Sequence, residues 1–157
     1  MTNLSRDSLA ALQLPSPNRG PYPDLSHAEH PRVLLADQDD DTRRLVSGRL
    51  RRDGCLVLEI LDGRQLLAAV TAELARHRRG FLPVDLIIAS EWLPGPTGLE
   101  VLGAVRGSRW PVPFIVLAGS ATPGMRRKAR RLGASATFER PPDLDRLMNA
   151  VALLVSP

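Results

Sequence analysis

Five short apolar runs, each followed by a turn signal and a stretch of helical periodicity, constrain this chain more than any other feature. The runs are Arg32–Ala36, residues 56–61, residues 85–89, Phe114–Ala118 and Ala136–Glu139. The first, VLLA after an arginine, has no polar alternation and reads as a strand buried on both faces. Between and after the runs lie predicted helices at residues 41–52, 64–77, 99–105, 125–132 and 144–154. Leu66, Leu67, Val70 and Leu74 share one face of the second helix. Met125, Ala129 and Leu132 do so in the fourth, and Leu144, Leu147, Met148, Val151 and Leu154 in the last. Asp53 with Gly54, Asp62 with Gly63, Pro94 to Pro96, Gly107 with Ser108, and Gly133 punctuate the pattern.

Strand and helix alternating five times predict an α/β fold with a parallel sheet covered on both faces. Right-handed crossovers leave few topologies, and the common five-strand choice is the flavodoxin-like, doubly wound order 2-1-3-4-5. In such a sheet the functional crevice lies at the carboxyl ends of the strands. That places Asp37, Ser90, Ala118 and Arg140 around one pocket.

The 157 residues suffice for one domain and a modest tail. Residues 1–30 carry Pro15, Pro17, Pro21 and Pro23 and too little apolar surface to offset ordering, so a disordered Pro-rich tail is expected there. Leu9, Leu12 and Leu14 offer one amphipathic turn within it, although a frayed terminus is the preferred reading. The domain itself is assigned to residues 31–157. No apolar run approaches the roughly 20 residues of a membrane span, and no secretory leader is evident. The lone Cys55 has no disulfide or metal-ligand companion, so a reducing cytoplasm is the expected compartment. The net charge of +4 admits nucleic acid, an acidic protein or an anionic surface as partner. An aromatic content of 4% supplies no stacking platform for single strands.

The segments VLLADQDDDTRRLV, DLIIASEWLPGPTGLEVL, PFIVLAGS and GASATFERPPDLDRL resemble, in order and separation, the signature blocks of response-regulator receiver domains. The resemblance spans residues 31–155. It implies a pocket in which two acids after strand one and an aspartate after strand three hold magnesium. The third aspartate accepts a phosphoryl group, a lysine after strand five pairs with it, a hydroxyl residue follows strand four, and an aromatic on strand five switches rotamer. Asp37 matches the first acid. Gln38 stands at the second acid, Ser90 at the phosphoacceptor, Ala118 at the hydroxyl residue, Arg140 at the lysine and Thr137 at the aromatic. Pro141 is retained, which implies a cis Arg140–Pro141 bond.

Gln38 and Ser90 offer only neutral oxygens where magnesium wants carboxylates, so no metal and no other cofactor is expected. Asp37 and Arg140 are expected to meet. Asp39, Asp40 and Asp41 are assigned to capping the first helix, and Glu91, following Ser90, to pointing away from the pocket. Ser90 has no histidine base in reach, since His27, His30 and His77 lie in the tail or at a helix end, so no enzyme activity is assigned.

These substitutions predict a phosphorylation-independent receiver-like module without an output domain, acting by protein–protein interaction. One alternative is an atypical single-domain regulator still phosphorylated in a phosphorelay. Another is nucleic-acid binding through MRRKARR, which no accompanying reader motif supports. The partner face is placed on the fourth helix, strand five and the last helix, with Arg126, Arg127, Lys128, Arg130, Arg131, Asp143 and Asp145. An acidic protein, or a second copy of the chain, would fit it; a membrane is not implied.

Overall fold

A computed structural model describes residues 30–156. Its elements are β1 (Arg32–Ala36), α1 (Asp40–Arg52), β2 (Leu56–Ile60), α2 (Gly63–Arg78), β3 (Leu86–Ser90), α3 (Gly98–Gly107), β4 (Phe114–Ala118), α4 (Pro123–Leu132), β5 (Ala136–Glu139) and α5 (Leu144–Val155). The five strands form one parallel sheet in the order β2-β1-β3-β4-β5. The expected fold class is therefore the one observed. The tail assigned to residues 1–30 falls, apart from His30, outside the described residues. Among the described residues no helix is long and apolar enough to cross a membrane.

Strand alternation splits the core into two layers. Leu34, Ala36, Ile87, Ala89, Phe114 and Val116 pack with Leu66 and Val70 of α2, Leu102 and Val105 of α3, and Ala129 of α4. Val33, Leu35, Leu86, Ile88, Ile115 and Leu117 pack with Val46 and Leu50 of α1 and with Leu147, Met148 and Val151 of α5. Each fully buried side chain of this size contributes about 1.5–3 kcal/mol of transfer free energy. β1, β3 and β4 are buried throughout because helices cover both sides of them.

The helices start where short polar side chains satisfy their first amides. Asp39, Asp62, Thr122 and Asp143 cap α1, α2, α4 and α5, and Thr97 with Glu100 closes a capping box on α3. Gly133 ends α4 at φ +100°, a left-handed conformation that favours glycine. One expected core position is corrected: Leu67 is 37% exposed, whereas Glu73 on α2 is only 3% exposed. Glu73 is accommodated because its carboxylate accepts the amide of Val84 at 3.1 Å and lies 4.0 Å from the Arg32 guanidinium. A buried carboxylate satisfied in this way outranks the apolar pattern of the helix.

Two glycines set how closely the loop after β3 packs. A Cβ on Gly63 would stand 1.7 Å from the carbonyl oxygen of Pro96, and one on Gly98 2.1 Å from that of Ser90. Gly63→Ala should therefore cost about 3 kcal/mol, the upper part of the usual range for overpacking, because backbone stands in the way. Gly103 on α3 has nothing within 4 Å of its added Cβ. Gly103→Ala should change stability in the opposite direction, by up to about 1 kcal/mol. Urea midpoints of the two variants check the pair; equal midpoints would contradict it.

Candidate functional site

Parallel strands ending together bring the last residues of β1, β3, β4 and β5 to one edge of the sheet. In the register, Ala36 pairs with Ala89, Ser90 with Leu117, and Ala118 with Glu139. Asp37, Ser90, Ala118 and Arg140 consequently surround one crevice, while Gln38 is exposed beside it.

Asp37 is 0% exposed. Its Oδ1 accepts the Asp39 amide at 2.9 Å and Nη2 of Arg140 at 2.9 Å. Burial pushes the Asp37 carboxyl above the ordinary carboxylate range, against the Asp39 amide and the Arg140 and Arg43 charges, which pull it down. Asp39 is also near Arg140, at 3.8 Å, but its carboxylate mainly caps α1 through the amide and hydroxyl of Thr42, at 3.0 and 2.6 Å. Those hydrogen bonds hold it below the usual range. Arg140 is placed by a backbone bond from its amide to the Ala118 carbonyl, 2.8 Å, and the Arg140–Pro141 peptide is cis.

Ser90 is buried, and its Oγ accepts the Trp92 amide at 3.1 Å. Glu91 continues the β3–β4 ladder, its amide donating to the Leu117 carbonyl at 2.8 Å, and its Oε2 accepts the Gly119 amide at 3.2 Å, bridging the ends of the two strands. Thr137 is half-buried on β5, and its carbonyl accepts Nη1 of Arg126 at 2.9 Å.

Arg43, which the sequence did not single out, is buried behind the pocket. It donates to the Asp37 carbonyl at 2.9 Å and pairs with Asp40 at 2.5 Å and Glu59 at 3.3 Å. Its spacing of three from Asp40 was the one available signal.

Magnesium does not fit this donor set. One carboxylate oxygen of Asp37 is already held by a guanidinium, and the other is a single buried acceptor without a partner. Ser90 is committed to Trp92, and near-octahedral coordination wants several oxygens free of a competing cation.

On the outer face, Arg127, Lys128, Arg130 and Arg131 are exposed along α4, and Arg126 is bound to the carbonyls of Ala121 and Thr137. Asp143 and Asp145, assigned to the same partner face, are engaged elsewhere. Asp143 caps its own helix at the Arg146 amide, and Asp145 faces α1, where Arg49 holds it at 3.0 Å.

A doubly wound parallel domain with an acid after β1 and a basic residue and cis-proline after β5, all at one crevice, has the architecture of a signalling receiver. The family model for the response regulator receiver domain matches residues 33–152, and the chain belongs to that family, the receiver domain of two-component signalling. It is similar to the receiver domain of Francisella response regulator 1452, with 20% identity and a TM-score of 0.72 over 80% of this chain and 97% of that one. It is similar also to Vibrio cholerae chemotaxis protein CheY4, with 25% identity and a TM-score of 0.67 over 80% and 98% of the two chains. The sporulation initiation phosphotransferase F of Bacillus subtilis is 24% identical over 120 residues, 76% of this chain and 90% of that protein. Ethylene receptor 2 of Oryza sativa subsp. japonica is 27% identical over 109 residues, 69% of this chain but only 14% of the receptor's length.

Proposed function

We propose that this receiver domain acts without aspartyl phosphorylation, by presenting a standing surface to a protein partner. The observation that carries the reading is the Arg140–Asp37 contact of 2.9 Å in a crevice whose acceptor position is Ser90. A guanidinium neutralises the acid that would otherwise draw a divalent cation. Ser90 lacks the activation that nucleophilic serine needs. Its oxygen is spent on the Trp92 amide, His30 lies against the Gly54 carbonyl, and His77 borders a groove with Pro31, before β1.

The partner surface is placed on α4 and β5. No carboxylate among the described residues lies within salt-bridge distance of Arg127, Lys128, Arg130 or Arg131. Like charges at this density cost a few tenths of a kcal/mol for each i,i+4 pair, and an acidic protein surface would relieve them.

The test is phosphoryl uptake by the full chain. Incubation with acetyl phosphate and magnesium should leave the intact mass unchanged, and magnesium alone should give no saturable change in tryptophan emission. A phosphoryl adduct, or a magnesium curve saturating at millimolar concentration, would show a working atypical regulator instead. Reintroducing carboxylates with Gln38→Asp, Ser90→Asp and Arg140→Lys should restore magnesium binding, which shows that the assay detects it.

A further inference from the structure

The residues at the altered pocket have a second effect: together they hold a tryptophan out at its rim. Trp92 is 57% exposed, the one exposed large aromatic among the described residues. Its amide is tied to Ser90 Oγ, and its indole lies directly on Gly119, where an added Cβ would come within 2.2 Å of the ring. The Gly119 amide is in turn held by Glu91. An exposed indole would ordinarily fold down onto apolar surface or move freely. This one is seated on a side-chain-free backbone by three local contacts.

From Gly119 the chain runs through Ser120 and Ala121 to Thr122, the N-cap of α4. The Arg127 guanidinium folds back to that end of the helix: its Nη2 and the Thr122 hydroxyl are both 4.0 Å from a Cβ built on Gly124. The indole and the Arg127 guanidinium therefore border one short loop, with Lys128, Arg130 and Arg131 exposed farther along α4. The carboxylates bordering this loop are engaged by its own backbone, Glu91 on the Gly119 amide and Glu139 on the Ala121 amide. Across the crevice Asp39 is on Thr42 and Asp40 on Arg43.

We infer that Trp92 and the N-terminal half of α4 form one docking surface, for an acidic protein segment carrying a single aromatic or large aliphatic side chain. The inference rests on the α4 partner face proposed above and supplies its apolar anchor. Charged rims set encounter and orientation, whereas buried aromatic anchors carry affinity, with tryptophan and arginine the commonest of them. A lone exposed aromatic favours a peptide over single-stranded nucleic acid, which needs successive rings to stack its bases.

The test uses the full chain and the blocked peptide Glu-Glu-Glu-Phe-Glu-Glu-Glu, followed by tryptophan emission and by calorimetry. Trp110 is buried, so the change on binding reports Trp92. Binding should be saturable, weaker by roughly tenfold or more when the peptide's phenylalanine is alanine, and weaker by a similar factor in Trp92→Ala. Trp92→Phe should recover most of it, which separates the role of the ring from any loss of fold. Arg127→Glu with Arg130→Glu should also abolish it. If Trp92→Ala binds as well as the native chain while the charge reversal does not, the anchor is wrong and the α4 face stands. Binding lost in Trp92→Ala but kept on charge reversal overturns both the joint surface and the α4 face. Absence of binding by the native chain, or tighter binding of an oligothymidylate than of the peptide, overturns the docking surface and leaves phosphoryl uptake to judge the wider reading.

Discussion

Arg106→Met is expected to lower the stability of the domain by about 4 kcal/mol, more than any truncation of an exposed side chain should. Arg106 sits in the last turn of α3, and its guanidinium has no carboxylate partner among the described residues. It donates to three backbone carbonyls instead: Gly133 from Nε and Nη2 at 3.1 and 2.9 Å, and Trp110 and Val112 from Nη1 at 2.8 and 2.7 Å. One side chain thereby joins the end of α3, the segment entering β4 and the cap of α4. Burial pushes its pKa down, but the group stays charged at any ordinary pH. Hydrogen bonds from a charged donor contribute about 1.5–3 kcal/mol each, and the four are not independent, which brings their sum down to the figure given. Methionine matches the stem and removes the fork. In a domain of this size the melting temperature should fall by roughly 10–15 °C. Arg106→Lys should recover little, because an ammonium cannot span three carbonyls as a planar fork does. Thermal and urea unfolding of the three proteins check this. A loss below about 1 kcal/mol would mean that solvent replaces the guanidinium and that the brace is dispensable.

Arg106 also shows why part of the molecule was hidden in the sequence. Strands were readable because apolar runs such as FIVLA carry their own burial signal. Phe114–Ala118 and Ala136–Glu139 fall where the pattern placed them. The crevice was readable because a parallel sheet aligns strand ends, whatever their sequence separation. Charged side chains that are buried and satisfied across long separations leave no periodic trace. Arg106 reaches Gly133, and Glu73 reaches Val84, through contacts that only the folded chain creates. Leu67 is exposed because the stripe that α2 buries runs through Gly63, Leu66, Val70 and Glu73, one residue step away from it. Asp145 was assigned by closeness along the chain, whereas the phase of α5 turns it to Arg49 on α1.

Removing the cation of the crevice should expose what it costs to bury Asp37. Arg140→Met leaves a fully buried carboxylate with the Asp39 amide as its one remaining hydrogen-bond donor among the described residues. Breaking a buried pair from one side costs about 3–5 kcal/mol. The lower end applies here, because the Arg140 side chain is 14% exposed and solvent can enter behind it. The loss should depend on pH, with a definite sign. Burial already holds the folded-state pKa of Asp37 above its unfolded value, even with Arg140 in place. A group shifted in that direction favours the fold fully below the unfolded pKa and loses that contribution as pH rises through the folded one. Without Arg140 the folded value rises further. The stability difference between native chain and variant should then be largest at neutral pH and shrink as pH falls toward the ordinary carboxylate range. Taking the difference between the two proteins cancels the titration they share. Adding Asp37→Asn to Arg140→Met should return most of the loss at neutral pH and remove its pH dependence, since no buried charge remains. A loss that is the same at every pH, or that survives Asp37→Asn, would place the effect in packing around Arg140. The proposed function depends on the same balance. A pocket that must attract a metal ion keeps its carboxylates in surplus over its own cations, whereas Asp37 here is buried beyond what its own hydrogen bonds support and relies on Arg140.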